Sequence, residues 1–313
     1  MNIWELEPQK ITSTLNDKIF QFYGDNSTRK TSVAAKFPGS IIFGFEKGYQ
    51  CIDGVYAVPV DTWSKFKDYL RQLKDPRSKA KFKTVVIDTT RIAYDCCTTW
   101  LLNTYEKTDI TDIGTKGKGW SLLKKEFSDV LNSIPKMGYG LILITHADEA
   151  EKDGKLTIKT DLDKVATAVV NKLVDFQLYV RKETKVEGEE EELTVFAYSD
   201  LDFADTKHRL RYFPKRFEFT YDNLLDAYNY ALEQEVVHGA VLDHEGSNLT
   251  KEAESLDDIR NEVIELVKKD PENEQVVEYI STHFDKRLSE TTKEDYDKLI
   301  AARDFLSSLF DAE

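Results

Sequence analysis

Eight residues, Gly24-Asp25-Asn26-Ser27-Thr28-Arg29-Lys30-Thr31, constrain this chain more than any other stretch. They follow the apolar run Ile19-Phe20-Gln21-Phe22-Tyr23 and precede the helix-compatible Ser32-Val33-Ala34-Ala35-Lys36. Strand, tight turn, Lys-Thr and helix is the layout of a P-loop. There backbone N–H groups surround phosphates and the helix N-terminus adds its dipole. In this reading the residues from Gly24 to Ser32 cradle a nucleotide, Lys30 reaches its β- and γ-phosphates, and the Thr31 hydroxyl binds Mg2+. The pattern G-x-x-x-x-G-K-[ST] has a second glycine where this chain has Arg29. A side chain there either crowds the loop or adds a guanidinium contact to phosphate. Taken alone, the variant is equally compatible with a chance turn before a helix, but three later segments support the P-loop.

The first is Ser40-Ile41-Ile42-Phe43-Gly44-Phe45, a continuous apolar run of the kind expected in a strand buried on both faces; it ends at Glu46. A short strand candidate, Gly54 to Val60, follows. Asp61 or Thr62 can then cap a helix through Phe66, Leu70 and Leu73. The second is Val85-Val86-Ile87-Asp88, an apolar strand ending in the aspartate that a Walker B segment uses to hold Mg2+, directly or through water. A buried strand can also end in Asp by chance; the weight comes from its place after a P-loop and two strand–helix units. Residues 91–106 read as a helix. The third is Gly140-Leu141-Ile142-Leu143-Ile144-Thr145-His146, another buried strand. His146 either senses a γ-phosphate or positions water there, or is a hydrogen-bonded histidine at a strand end. Strands alternating with helices predict a parallel, doubly wound sheet, whose ligands gather at the C-terminal ends of the strands. Gly24–Thr31, Glu46, Asp88 and His146 all fall at such ends.

Between these segments, Gly114-Thr115-Lys116-Gly117-Lys118-Gly119-Trp120 suits a mobile, phosphate-facing loop with Trp120 free to stack, or a solvated connection anchored by Trp120. Leu122 to Ile134 is an amphipathic helix. Ala147 to Thr167, with Lys152, Lys155, Lys159 and Lys164, is expected to be a long polar loop. Helix at 169–174 and strands at 176–180 and 193–198 follow, with an acidic turn at 187–192, a basic stretch at 208–217 and a helix at 224–232.

A chain of 313 residues accommodates one sizeable domain and a smaller one. The net charge of −14 excludes general electrostatic attraction to nucleic acid. It is unevenly spread, because residues 251–313 hold 18 Asp/Glu against 9 Lys/Arg, so a basic groove remains possible in the first 250. Cys51, Cys96 and Cys97 form neither a disulfide framework nor a metal pattern and suit a reducing cytoplasm. The first residues do not read as a signal peptide, and no apolar run approaches membrane-spanning length. The expected organisation is a core at 1–237, a linker at 238–254 and an acidic helical region at 255–313. In that last region Ser255 can cap a first helix, Pro271 starts a second, and Tyr296 to Phe310 forms a third. It serves either as a bundle for protein contacts or as a cap packed on the core.

Taken in order, the strand and P-loop Phe20–Thr31, the strand ending in Glu46, Val85–Asp88, Gly117–Trp120, Gly138–His146 and Leu173-Val174-Asp175 resemble the RecA-like ATPases. The likeness runs from about Lys18 to Leu232. It is closer to the compact phage-encoded ATP-binding proteins of the Sak/RecA-core type, found in phage recombination modules. The resemblance implies an α/β RecA-like P-loop NTPase core with a mainly parallel central sheet and a small C-terminal helical region. It implies ATP and Mg2+, with Lys30 on the β/γ-phosphates, Thr31 and Asp88 on the metal, Glu46 activating the attacking water, and His146 as γ-phosphate sensor. It implies loops that face single-stranded DNA, which map onto Lys116, Lys118, Trp120, Lys155 and Lys159. It also implies a ring or filament whose sites are completed by a neighbour's basic residue, with Arg209, Arg211 and Arg216 as candidates. Arg29 bears on turnover more than on nucleotide binding. The expected function is a Mg2+-dependent ATPase acting on single-stranded DNA in phage recombination or replication, in the host cytoplasm. The alternative is a non-hydrolysing nucleotide switch that recruits a single-strand-binding or replication protein through the acidic C-terminal helices. A third reading is an interaction protein with a relic P-loop.

Overall fold

In the computed structural model the described residues are 10–152, 155–187, 190–243, 256–271, 273–284, 287–291, 295, 298–299, 302–303, 305–306 and 309. They belong to two units, Met1–Asp243 and His244–Glu313. The first unit opens with β1 (Ile11–Thr12), β2 (Ile19–Gly24), α1 (Lys30–Ala35), β3 (Ser40–Gly44) and β4 (Ala57–Pro59). Next come α2 (Trp63–Gln72), α3 (Pro76–Lys81), β5 (Thr84–Asp88), α4 (Thr90–Thr104) and α5 (Lys118–Lys136). β6 (Gly140–Lys152), β7 (Lys155–Thr160), α6 (Lys164–Leu173), β8 (Phe176–Glu187) and β9 (Glu190–Tyr198) follow. β10 (Arg216–Glu218), α7 (Tyr221–Val237) and β11 (Leu242–Asp243) end the unit.

Continuous apolar runs build the centre of the main sheet because those strands are covered on both faces. Every residue of β2, β3 and β5 is buried. The order is β10-β9-β8-β2-β6-β5-β3-β4, with β7 paired to the far half of β6. From β8 to β4 the neighbours run parallel; β9, β10 and β7 are antiparallel additions. This is the mainly parallel α/β sheet that the alternation predicts. β6 lies between β2 and β5, so the P-loop strand and the Asp88 strand are not neighbours. Register aligns their ends: Gly24 is level with His146, Ile144 with Asp88, and Asp88 with Gly44.

One face packs Trp63, Phe66 and Phe127 against strand residues such as Phe43 and Leu143. The other gathers aromatic rings around β2: Phe20 stacks on Phe176 at 4.9 Å, and Phe37 meets Phe20 edge-on, which fixes the chain just after α1. Local caps set the helix starts. Thr62, rather than Asp61, caps α2 by accepting from the Lys65 N–H, and Asp163 caps α6 by accepting from Val165 and Ala166.

Two expected loops are ordered differently. The stretch from Ala147 is the outer half of a β-hairpin, with Ala147 opposite Thr160, and α6 then starts at Lys164. Ile158 anchors that hairpin in an aromatic cluster of Tyr23, Tyr179, Phe196 and Tyr198, drawn from distant strands. The segment 114–120 is not a loop throughout, because α5 begins at Lys118. Gly117 takes the left-handed conformation at its N-cap, and a Cβ on Gly119 would stand 2.0 Å from the Ile110 carbonyl oxygen. These glycines make a turn and a close packing contact rather than a mobile loop. Trp120 is 41% exposed and anchors no core.

Leu242–Asp243, within the stretch expected to be linker, pairs in parallel with Ile11–Thr12. The second unit contains α8 (Leu256–Lys269) and α9 (Glu274–His283). Val263, Leu266, Val276, Phe284, Leu299, Ala302 and Leu306 form its buried cluster. Asn273, not Pro271, is adjacent to α9 as its N-cap. Ser255, Tyr296, Ile300 and Phe310 lie outside the described residues. Among those described, no helix is long and apolar enough to cross a membrane.

Candidate functional site

The P-loop leaves β2 at Gly24, where the backbone passes close to β8. A Cβ there would lie 1.9 Å from the Val180 carbonyl oxygen, so only glycine fits. The turn then uses two left-handed residues, Ser27 and Arg29, both with φ of 60°. For a non-glycine residue that conformation costs about 1–2 kcal/mol. This is the backbone reason the usual pattern has glycine at the Arg29 position. The Arg29 side chain is exposed, so the guanidinium does not crowd the loop.

Lys30 opens α1 and is 6% exposed. Its Nζ donates to the carbonyls of Gly24 (2.8 Å) and Asp25 (2.7 Å) and to Thr28 Oγ1 (3.1 Å). Burial pulls its pKa down to about 8, against the pull of the carboxylates of Asp88, Asp25, Asp161 and Glu46. The ammonium is thus held among neutral oxygens in a place where an anion would stabilise it strongly. The first N–H groups of any helix lack intrahelical acceptors, and Lys30, Thr31 and Ser32, the first residues of α1, line the cavity described below.

Asp88 ends β5 and is 3% exposed. Burial raises its pKa, partly offset by the hydroxyl of Thr31, which donates to Oδ2 at 2.7 Å. The nearby Lys30 ammonium also favours its charged form. Among the described residues, no group of three or more His, Cys, Asp or Glu is placed to hold a metal. Thr31 and Asp88 present two hard oxygens side by side, a donor set that fits Mg2+, which is commonly held by one or two protein oxygens with phosphates and waters completing its shell.

Glu46 follows β3. Its backbone N–H and that of Phe45 donate to the Asp88 carbonyl at 3.0 and 2.6 Å, which ties the two strand ends together. Glu46 Oε1 accepts from the Thr89 hydroxyl at 3.0 Å and lies 3.6 Å from His146 Nε2. Gly44 makes room for this bend, since a Cβ there would sit 2.0 Å from the Tyr49 ring. His146 is itself clamped by Asp161, which closes the β6–β7 hairpin. The His146 N–H donates to Asp161 Oδ1 at 3.2 Å, and the Asp161 N–H donates to the His146 carbonyl at 3.0 Å. Arg91 of α4 donates to the Asp161 carbonyl at 2.9 Å. Burial raises the Asp161 pKa, with the nearby His146 opposing it.

One cavity of 310 Å3 collects these groups: it is lined by residues 26–32, Glu46, Asp88 and His146, together with Gly48, Cys51, Ile52 and Ile144. Gly24 and Asp25 contribute behind it through the carbonyls that hold Lys30. Ile52, Cys51, Thr89 and Asp161 were not expected from sequence. The first two sit on or just after a 3-10 turn, Gly48–Cys51, and the others reach the site through register. The remaining candidates lie elsewhere in this chain. Lys116, Lys118, Trp120 and Lys159 are exposed and do not line the cavity, and Lys155 is the first residue of β7. Arg209 pairs with Asp175 at 2.6 Å, by the N-terminal end of β2. Arg216 pairs with Glu183 at 2.6 Å and covers the Phe196 ring, and Arg211 is anchored by its N–H to Glu235.

Residues 16–216 match a family described as an AAA domain. The chain is also similar to the SPbeta prophage-derived uncharacterized protein YorG of Bacillus subtilis (strain 168). The two are 30% identical over 275 residues, which covers 82% of this chain and 80% of the relative.

Proposed function

The chain belongs to the AAA-domain family of P-loop ATPases, and from that premise we propose that it is a Mg2+-dependent ATPase with a RecA-like site, acting as an oligomer on single-stranded DNA. The observation that carries the ATPase reading is the convergence of Lys30, the Thr31–Asp88 pair and the Glu46–His146 pair on one cavity.

On this reading Lys30 exchanges its neutral loop acceptors for charged phosphate oxygens, a stronger class of hydrogen bond. Thr31 and Asp88 would hold Mg2+, which when bound neutralises charge on the β- and γ-phosphate oxygens. Glu46, oriented by the Thr89 hydroxyl, accepts a proton from the attacking water or aligns it. His146, held by Asp161, stands where Nε2 can donate to the γ-phosphate or to Glu46. Asp88 is followed by Thr89, so the nearest candidate base comes from the neighbouring strand β3. That placement supports the RecA-like assignment. Arg29 is exposed and stands among the residues that line the cavity, so its guanidinium can meet a phosphate oxygen, a contact compatible with turnover. The prophage-derived relative supports a phage setting. The exposed Lys116, Lys118 and Trp120 support contact with DNA, and Arg209, Arg211 or Arg216 of a neighbouring subunit would complete each site.

The test is ATP hydrolysis with and without single-stranded DNA, wild type beside Glu46→Gln. The expected result is DNA-stimulated turnover that the substitution removes. Absence of turnover together with tight ATP binding would overturn the ATPase reading in favour of the switch, and unaltered turnover in Glu46→Gln would remove Glu46 as the base.

A further inference from the structure

We propose that the edge of the sheet opposite the nucleotide cavity is a separate binding surface for single-stranded nucleic acid, built on α3 with Tyr56 as its stacking platform. Residues 71–83 hold six Lys/Arg and one Asp, in a chain whose net charge is −14. The structure concentrates them. Asp75 caps α3 and pairs with Arg77, while Lys79 and Lys81 stand in the last turn of the helix. Lys83 folds back so that its Nζ donates to the Lys79 carbonyl at 2.8 Å. Among the described residues, Lys74, Lys79, Lys81 and Lys83 have no carboxylate within ion-pair distance. Folding does not require so many like charges on six helical residues and the turns beside them, and they repel one another in the free protein.

The second observation is aromatic. Tyr56, just before the edge strand β4, is 52% exposed. Lys81 Nζ lies 4.0 Å from its ring centroid, and Phe82 meets it edge-on at 5.5 Å. An exposed ring held upright among unneutralised cations is the combination that binds a single strand, with bases stacking and phosphates pairing. Along the chain the patch meets a largely apolar groove of 270 Å3 between α2 and α5, rimmed by Lys74, by Lys67 and Arg71, which pair with Glu126 and Asp68, and by Asp129, which pairs with Lys125. An anionic membrane fits less well, because α3 is only six residues long and Phe82 packs its ring against Tyr56, so no amphipathic helix offers an apolar face to insert.

The surface is independent of the nucleotide site and of the loops assigned to DNA above. Lys83 pairs through its N–H with Gly39, beside the first residues of β3 and β5, whereas Thr31 and Asp88 lie at the other end of those strands. Four residue steps of β5 separate the levels by about 13 Å.

The experiment is fluorescence anisotropy of a labelled oligo-dT with the full-length protein at several salt concentrations. The variants are Lys79→Glu/Lys81→Glu/Lys83→Glu combined, Tyr56→Ala, and Lys116→Ala/Lys118→Ala, each with its melting temperature. The expected result is that the triple variant loses binding at least about tenfold and flattens the log–log salt slope by about two, for three lost contacts to single strand. Tyr56→Ala weakens binding about tenfold with the salt slope retained. Unchanged affinity in a folded triple variant overturns the proposal, as does wild type that fails to bind at low salt. Loss confined to Lys116→Ala/Lys118→Ala also overturns it while leaving the proposed function standing. Loss in the triple variant with no effect of Tyr56→Ala, and with polyglutamate competing as well as oligo-dT, assigns the surface to an acidic polypeptide and overturns the nucleic-acid assignment.

Discussion

At the C-terminal ends of the parallel strands Lys30 is buried and held by three oxygens, whereas at the N-terminal ends Lys79, Lys81 and Lys83 are exposed, with no carboxylate beside them among the described residues. Both regions suit phosphate, but by different physics. Inside the cavity charge is desolvated, so each group acts through position and one atom matters greatly. On the outer edge charge is screened by water and salt, so groups act by number and each is nearly interchangeable. The sheet separates a site that recognises one phosphate chain by geometry from a surface suited to polyanions by density.

The comparison is tested most severely by Lys30→Ala. It should abolish the thermal stabilisation by ATP and Mg2+, which for a ligand at one hundred times its Kd is about 2.7 kcal/mol in wild type. A retained shift would sink the P-loop assignment. Glu46→Gln should leave ATP binding intact while lowering turnover by about 10²–10⁴-fold, the range of a lost general base. Equal losses in binding and turnover would instead make Glu46 a structural link between strand ends.

The pH dependence separates the two regions further. Burial depresses the Lys30 pKa to about 8 from an ordinary 10.5. The free protein thus loses the charge that phosphate needs as pH rises above about 8. Affinity for ATP should then fall by up to about tenfold per pH unit, until the pKa of the bound state is reached. Folding moves the other way. Between about 8 and 10.5 the unfolded chain binds more protons at this position than the folded one, so the ligand-free wild type should gain stability with rising pH relative to Lys30→Met. Isothermal titration and thermal melts across that window read both signs, and a flat ATP affinity would mean the ammonium is not what binds phosphate.

Smaller effects sharpen the contrast. Arg29→Gly should raise stability by about 1 kcal/mol, because it relieves a left-handed residue. Unchanged ATP affinity would show that the guanidinium leaves phosphate alone; weakened affinity would show that it reaches it. Smallest of all, Lys79→Ala alone should weaken oligonucleotide binding by only about two- to threefold, as expected for one exposed charge among several. A single-residue loss as large as that at Lys30 would mean the outer surface is a built site rather than a field of charge.

Much of the candidate site was legible because its signals are local. Apolar runs announce buried strands, and the residue that ends three of them, Glu46, Asp88 or His146, is the residue that reaches the cavity, while Gly24 ends the fourth and opens the P-loop. Less was legible where partners come from far along the chain. Asp161 looks like one acid in a polar stretch, and only the β6–β7 hairpin brings it back onto His146. That hairpin was itself hidden, since its anchor Ile158 is covered by four aromatic residues from other strands. The glycines at 117 and 119 suggested mobility, yet the second is required by the approach of the Ile110 carbonyl.

The sequence by itself determined the strand–helix alternation, the Lys-Thr turn before a helix and the acidic C-terminal composition, because periodicity and charge are properties of neighbouring residues. Only the tertiary structure decided that β6 separates the P-loop strand from the Asp88 strand, that Glu46 stands 3.6 Å from His146, and that the cations of residues 74–83 lie at the opposite end of the sheet from Lys30. Strand order and register are long-range choices, set by which faces bury together, and they place chemistry that no local pattern records.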